Sequence, residues 1–246
     1  MGILYLGTQG FAYKDWVGNF YPTHTPPDDY LNHYIEQFRA VELDSTAYGV
    51  PQAGTVRAWY DQTPPDFVFT AKFPRTVTLA KQLAVDEARP FLDAMQHLRE
   101  KCGPLLLQFA PDFGPDRAAE LDRFLGDLPR AFRYAVEFRH AGWTQIYGEI
   151  LTRQRCAVCL HDLHYPKAAP TTTNFTYVRW LGNRTQLTRF NRSQIDRGRE
   201  QAWWSEVLRA QLGKGQDVYG FVNNCWSGHA PTAARQLQAL ISGRAQ

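Results

Sequence analysis

The stretch PLLLQFAPDFGPDRAAELDRFLGDLPRAFRYAVEFR, residues 104–139, decides the fold. It begins with an apolar run at residues 104–109 and ends with another at 134–139, each of the length of a buried strand. Between the two runs, apolar residues recur with the spacing of one helix face, at Leu121, Phe124, Leu125 and Leu128. The pattern predicts two parallel strands joined by a helix, because a parallel pair needs a crossover of about a dozen residues or more.

The same alternation continues along the chain in both directions. Strand-like runs lie at residues 3–8, 40–46, 67–73, 104–109, 134–139, 156–161, 175–181 and 218–224. Helical spacing follows most of them, as in the helix after Asp28 that carries Tyr30 to Phe38. Eight strands alternating with helices over 246 residues predict an α/β fold, a (β/α)8 TIM-like barrel with residues 1–246 as a single domain.

Three connections carry more specific signals. Residues 162–174, DLHYPKAAPTTTN, show no helical period, so we expect an irregular connection there in place of the helix between strands six and seven. Ser193 and Asp196 resemble a capping box that starts a helix running to Leu212. Pro231 suits the first turn of the last helix.

Composition excludes several classes of protein. No apolar run approaches the roughly 18 residues of a membrane span, and the N-terminal MGILYLGTQG lacks the basic region and cleavage site of a secretory signal, so a cytoplasmic protein without membrane contact is expected. The formal net charge of +3 is too small to indicate nucleic acid by itself. Cys156 and Cys159 lie three apart on a predicted strand and therefore point to opposite faces, which favours buried apolar thiols over a metal site.

Active sites of such barrels gather at the C-terminal ends of the strands, where alternate side chains point inward. Val41 and Leu43 are apolar and should face the helices, which leaves polar residues of the second strand inside. The same parity gives these inward candidates: Glu42, Asp44, Thr46, Lys72, Gln108, Glu137, Arg139, Arg179 and Asn223. For the sixth strand, parity does not decide whether His161 or Asp162 points inward.

Three acids, Glu42, Asp44 and Glu137, thus face three cations, Lys72, Arg139 and Arg179. Buried charges cost several kcal/mol each unless they are well paired, so a site for a polar ligand is favoured over a salt-bridge network. We expect Glu42, Lys72, Glu137, Arg139 and Arg179 to converge in one pocket.

Three kinds of chemistry fit these residues. The first is acid/base catalysis, with Glu42 and Glu137 as base and acid and the cations binding a small anionic or polyol substrate. Schiff-base chemistry at Lys72 ranks lower, because the nearby glutamates favour a charged ammonium group. A Mg²⁺ or Mn²⁺ ion on the carboxylates, with His140, His161 and Asp162 as further ligands, is disfavoured by the competing cations, and no metal or other cofactor is predicted.

Nucleic-acid binding is the competing class. Residues 179–199 contain six arginines and one acid, and barrels often bind phosphate with the loops after strands seven and eight. Aromatic residues that could stack on bases accompany this loop, namely Tyr13, Trp16, Tyr21, Tyr48 and Trp226. Packing of these rings against one another over the barrel is favoured, and with it the small substrate over nucleic acid. The oligomeric state has no signal in the sequence.

Seven stretches resemble the domain-of-unknown-function family 72, the YecE-like proteins, in order and in spacing. They are GTQGFAYKDWVGNFYP (7–22), VELDSTAY (41–48), FTAKFPR (69–75), GPLLLQFAP (103–111), AVEFRHAGW (135–143), YVRWLG (177–182) and FVNNCWSGHA (221–230). The resemblance implies a TIM-like barrel and supplies no reaction. The family barrel is also similar in shape to xylose-isomerase-like and endonuclease-IV-like barrels, which is an analogy of fold. The alternative function is therefore a nucleic-acid-binding or endonuclease-IV-like barrel that uses the arginine-rich loop.

The residues that match the family pattern, together with Asp44 and Tyr48, are the site candidates. The catalytic candidates are Glu42, Lys72, Glu137 and His140. The substrate-binding candidates are Asp44, Tyr48, Gln108, Arg139, Trp143, Arg179, Asn223 and Asn224. The chain departs from the family at Asp44, Ala47 and Leu181, where Asn, Phe and His are usual, and the last change would alter the function if that histidine served catalysis.

Overall fold

The computed structural model describes residues 1–163 and 172–243. Eight parallel strands are hydrogen-bonded in chain order into a closed barrel. They are β1 (Leu4–Gln9), β2 (Ala40–Leu43), β3 (Val68–Lys72), β4 (Cys102–Gln108), β5 (Tyr134–Glu137), β6 (Ala157–His161), β7 (Phe175–Trp180) and β8 (Asp217–Val222). Every strand predicted from the apolar runs is present, which confirms the (β/α)8 fold.

Within the described residues, helices lie between successive strands in every connection but that from β6 to β7. The α-helices are α1 (Tyr30–Tyr34), α2 (Ala53–Gln62), α3 (Arg75–Thr78), α4 (Val85–Met95), α5 (Ala118–Asp127), α6 (Tyr147–Gln154), α7 (Gly198–Gly213), α8 (Asn224–Ser227) and α9 (Ala230–Ile241). Pro231 lies in the first turn of α9, as predicted. The core of the predicted irregular connection, residues 164–171, lies outside the described residues.

The capping box predicted at Ser193 is wrong. Helix α7 begins at Gly198, whose backbone N–H donates to the Asp196 carboxylate at 2.9 Å. The backbone N–H groups of Gln194 and Ile195 instead donate to the Ser227 carbonyl, at 2.7 and 3.1 Å. These bonds take residues 194–195 away from a helical path, so the helix starts later.

The second strand is also shorter than predicted. It ends at Leu43, and Asp44–Ala47 form a 3-10 helix, so strand parity does not orient Asp44 or Thr46. Thr46 Oγ1 is the cause: it lies 2.7 Å from the carbonyl oxygens of both Leu43 and Lys72 and accepts from the Lys72 backbone N–H at 3.1 Å. At this point, hydrogen bonds between the Thr46 hydroxyl and the backbone take the place of the backbone–backbone bonds of a pair of strands.

Contacts divide the chain into two compact units. Unit 1 contains residues 1–42, 161–163 and 175–243, and unit 2 contains residues 43–160 and 172–174. The prediction of a single domain stays a prediction.

Each unit has its own aromatic core. In unit 1, the buried Tyr34 hydroxyl accepts from the Thr8 backbone N–H at 2.9 Å and donates to the Ala40 carbonyl at 3.0 Å. In unit 2, Phe138 stacks on Trp143, with ring centroids 4.5 Å apart. No helix within residues 1–163 or 172–243 combines the length and the apolar character that crossing a membrane requires.

Candidate functional site

Unit 1 holds a fully buried ion pair between β2 and β7. Arg179 Nη2 donates to Glu42 Oε1 at 2.7 Å, and Arg179 Nε lies 3.1 and 3.0 Å from the two carboxylate oxygens. The Tyr177 hydroxyl donates to Glu42 Oε2 at 2.7 Å. Neither charged side chain has any exposed surface. Both oxygens of Glu42 are therefore engaged by donors of the protein itself.

Gln9 and Asn223 extend this network. Gln9 Oε1 accepts from Arg179 Nη2 at 3.1 Å and from Asn223 Nδ2 at 2.9 Å. The side-chain oxygen of Asn223 in turn accepts from the Cys225 backbone N–H and caps α8. The unit 1 cluster thus has the character of a salt-bridge network, with every member bonded to another.

Unit 2 holds a second cluster around Glu137, at the C-terminal ends of β4 and β5. Gln108 pairs with Glu137 in the β4–β5 register, so both side chains lie on the same face of the sheet. Gln108 Nε2 and Arg139 Nε donate to Glu137 Oε1, at 2.7 and 2.5 Å. The Cys159 thiol lies 3.9 Å from Oε2. Glu137 is fully buried, whereas 19% of the Arg139 side chain remains exposed.

Lys72 and Asp44 add a second ion pair to unit 2. Lys72 pairs with Leu106 in the β3–β4 register, which places its side chain on the same face as Gln108, two residues further along β4. Its Nζ atom lies 3.5 Å from Asp44 Oδ1, and the two side chains are 9% and 21% exposed. Unlike the pair in unit 1, this pair keeps access to solvent.

The other predicted site residues differ in their surroundings. His140 is half-buried, and its Nδ1 accepts from the Gly142 backbone N–H at 3.0 Å. Tyr48 is 71% exposed. Trp143 has no exposed surface, and its indole N–H donates to the Phe113 carbonyl at 2.6 Å. Asn224 Oδ1 accepts from Trp16 Nε1 and from the Ala230 backbone N–H. Trp143 and Asn224 thus make the contacts of core residues.

The candidate metal ligands are engaged elsewhere or dispersed. The Asp162 carboxylate accepts from the backbone N–H groups of Leu181 and Gly182, at 2.7 and 3.1 Å. Leu181, where the family usually has His, is buried. In the part of the chain that the structure describes, no three His, Cys, Asp or Glu side chains come together as a metal site. Burial raises the pKa of the Cys156 thiol to about 12, which keeps it protonated and unreactive.

The arginine-rich loop lies in unit 1, and four of its arginines are exposed, at positions 184, 189, 192 and 199. Arg197 is half-buried and donates to the Trp226 carbonyl at 2.7 Å. The loop backbone is tied down at Phe190, whose N–H donates to Asp15 at 2.8 Å, and at Asn191, whose carbonyl accepts from Asn19 at 2.8 Å.

Most aromatic residues considered for stacking on bases are core residues. Trp16, Tyr21 and Trp226 are at most 1% exposed. Burial, with the neighbouring tyrosines, raises the pKa of Tyr21 far above its usual range. Only Tyr48 among the five is a large exposed ring; these aromatics mainly pack against the protein, as the sequence favoured.

Three polar partners escaped the sequence reasoning: Gln9, Tyr177 and Cys159. Tyr177 lies two residues before Arg179 on β7 and therefore has the same parity, which is the signal that could have identified it. Glu42 and Arg179 belong to unit 1, and Lys72, Glu137 and Arg139 to unit 2. That these five share one pocket stays a prediction.

Sequence relatives were found in two bacteria. The UPF0759 protein YecE of Escherichia coli K12 is 33% identical over 140 residues, which are 56% of this chain. The matched stretch spans 49% of the length of that relative. The UPF0759 protein YunF of Bacillus subtilis is 24% identical over an alignment of 280 positions that covers 97% of this chain and 95% of YunF.

Solved structures and a family model extend the likeness to nearly the whole chain. A DUF72 family protein of Thermotoga maritima superposes with a TM-score of 0.81 at 28% identity, over 98% of this chain and 99% of that protein. One of Enterococcus faecalis superposes with a TM-score of 0.77 at 22% identity, over 98% and 96% of the two chains, and so shows the fold alone. The family model described as "Protein of unknown function DUF72" matches residues 5–246. The chain therefore belongs to the DUF72 family.

Proposed function

We propose that unit 2 carries the site of an enzyme that performs acid/base chemistry on a small anionic or polyol substrate. Hydrolysis, lysis and isomerisation are the reactions in this class. The observation that carries the proposal is the buried Glu137 carboxylate at the end of β5, held by Gln108 and by the partly exposed Arg139. TIM barrels place their chemistry at this end of the strands.

In this proposal Glu137 is the general base. Two donors on Oε1 fix the carboxylate plane, and the proposal assigns uptake of the substrate proton to the other oxygen, Oε2. Arg139 uses its Nε on Glu137, and its remaining guanidinium N–H groups serve an anionic group of the substrate. Glu42 is left out of proton transfer because Arg179 and Tyr177 engage both of its oxygens.

His140 and Lys72 complete the proposed machinery. His140 Nδ1 accepts from a backbone N–H, so the ring carries its hydrogen on Nε2, which would donate a hydrogen bond to a substrate oxygen. Lys72, with Asp44 as its counter-ion, binds substrate oxygens rather than forming a Schiff base. No cofactor enters this chemistry.

The test is turnover of a panel of sugar phosphates, sugar acids and polyols by Glu137→Gln, followed by NMR. The amide keeps the shape of Glu137 but takes up no proton, so turnover should fall by about a hundredfold to ten-thousandfold while the melting temperature changes little. Glu149→Gln, on an exposed position of α6, is the matched control and should behave like the parent chain. A large loss of melting temperature with unchanged turnover would show that Glu137 belongs to a salt-bridge network.

A second candidate function, nucleic-acid binding in an endonuclease-IV-like manner, is supported by the four exposed arginines on the anchored loop of unit 1. Binding through phosphates releases counterions, so the affinity for a single strand should fall with a log–log slope of about −0.7 per phosphate contacted. Submicromolar binding of an oligonucleotide whose affinity falls steeply with salt would favour this candidate over the small substrate. This binding should be lost when Arg184, Arg189 and Arg192 are replaced by Ala.

A further inference from the structure

Unit 2 carries an exposed aromatic ring beside an exposed cation, on the two chain segments that also carry the Lys72–Asp44 pair. The Tyr48 side chain follows the 3-10 helix Asp44–Ala47 and is 71% exposed. The guanidinium carbon of Arg75, the first residue of α3, lies 5.7 Å from the centre of the Tyr48 ring. Arg75 is itself exposed. This contact lies within the distance at which an arginine is attracted to a ring face.

Both residues are held by backbone bonds, so their exposure is built into the fold. The Tyr48 backbone N–H donates to the Ser45 carbonyl at 3.0 Å, and Thr46 ties the same 3-10 helix to Lys72 of β3. The Arg75 carbonyl accepts from the Leu79 backbone N–H at 2.9 Å, which closes the short helix α3.

Four chemically different groups therefore lie at the C-terminal ends of β2 and β3 or in the segments that follow them. Asp44 supplies a carboxylate acceptor, Lys72 an ammonium donor, Tyr48 an apolar ring face and Arg75 a guanidinium. A ring with hydroxyl groups and one anionic substituent would use all of them: its C–H face on Tyr48, its hydroxyls on Asp44 and Lys72, and its charge on Arg75.

We propose that Tyr48 and Arg75 form the recognition rim for a sugar ring that carries an anionic group, a phosphate or a carboxylate. The proposal rests on the proposed function of unit 2 and names the substrate class of that site. A neutral sugar would leave Arg75 without a ligand group, and an acyclic anion would leave Tyr48 without a face to contact. The selectivity expected from the rim is therefore for a ring and a charge together.

The test is calorimetric binding of hexose 6-phosphates, pentose 5-phosphates and hexuronates, with the neutral parent sugars and inorganic phosphate as comparisons. Tyr48→Ala should weaken binding of the anionic sugars by about tenfold through loss of the ring face, and Tyr48→Phe should retain the affinity. Arg75→Ala should weaken it by roughly tenfold to a hundredfold, the range for a hydrogen bond to a charged group. Arg57→Ala, an exposed arginine of α2, is the matched control.

The pattern across the panel separates this proposal from the one it rests on. Binding that Tyr48→Ala and Arg75→Ala weaken supports the rim even if Glu137→Gln leaves turnover unchanged, because binding requires no proton transfer. Anionic sugars that bind equally well to all variants would overturn the rim while leaving the role of Glu137 intact. The recognition rim would also be overturned if no anionic sugar in the panel bound at millimolar concentration, or if the neutral sugars bound equally well.

Discussion

Replacing Arg179 by Met tests whether the unit 1 network stabilises the fold. The substitution leaves the Glu42 carboxylate buried, and the Tyr177 hydroxyl still donates to it. The neutral side chain is similar in length to the one that it replaces, so the main change is the loss of the guanidinium. Gln9 keeps its bond from Asn223.

The expected cost follows from the burial of both partners. Each side chain has no exposed surface, and the closest nitrogen–oxygen distance is 2.7 Å. Removing one partner of such a pair costs about 3–5 kcal/mol, because the other charge stays buried without its ion-pair partner. A domain has about 5–15 kcal/mol of stability in total, so the variant should lose at least about a fifth of it.

The assay is urea unfolding of Glu42→Gln, Arg179→Met and the double variant. The double variant removes both charges and keeps an acceptor for Tyr177, so it should be more stable than either single variant, with a coupling of at least about 3 kcal/mol. The control is Arg89→Met, which removes an exposed partner of Asp86, with side chains 70% and 84% exposed, and should cost less than about 1 kcal/mol. The reasoning would be refuted if the double variant lost the sum of the stabilities lost in the two single variants. It would also be refuted if Arg179→Met cost less than about 1 kcal/mol.

Two further predictions concern unit 1. Burial, and secondarily the charge of Arg235, lowers the pKa of His229 to about 4. The unfolded chain binds this proton from about pH 6.5 downward and the folded chain does not, so stability should fall by up to about 3 kcal/mol as pH drops from 6.5 to 4. Urea midpoints across that range should show a smaller fall for His229→Gln, and an equal fall would contradict the assignment. Gly182→Ala should destabilise by more than about 2 kcal/mol, because φ is +62° and a Cβ would lie 2.2 Å from the Cys225 carbonyl oxygen. Gly148→Ala, where a Cβ meets nothing within 4 Å, should change stability by less than about 1 kcal/mol, and similar losses at both positions would rule out this explanation.

The fold could be read from the sequence because its signal is repeated and local. Every strand is a short apolar run whose inner and outer residues alternate, and the parity that placed Glu42 with Arg179, and Gln108 with Glu137, rests on that alternation alone. The alternation fails where the strand stops. Strand parity predicts that Asp44 points inward, but Asp44 lies in a 3-10 helix that the Thr46 hydroxyl stabilises.

The roles of the site residues were harder to predict than their positions. Trp143 and Asn224 match the family pattern, but bonds to Phe113 and Trp16, distant in sequence, tie them into the core. Nothing local to either residue reveals such a partner. The start of α7 was misplaced for the same reason, because the Ser227 carbonyl that holds residues 194–195 lies more than thirty positions further along the chain.

The separations between bonded partners bear on the order in which the chain folds. Gln108 lies 29 positions from Glu137 and Lys72 lies 28 from Asp44, so the polar bonds of unit 2 close short loops. Arg179 lies 137 positions from Glu42 and Asn223 lies 214 from Gln9, so these two bonds of unit 1 form only when distant segments meet. Since loop-closure entropy must be overcome before distant contacts stabilise the chain, we expect these two bonds to be absent from the folding transition state. The Glu42–Arg179 pair should then slow the unfolding of the protein and have little effect on its rate of folding.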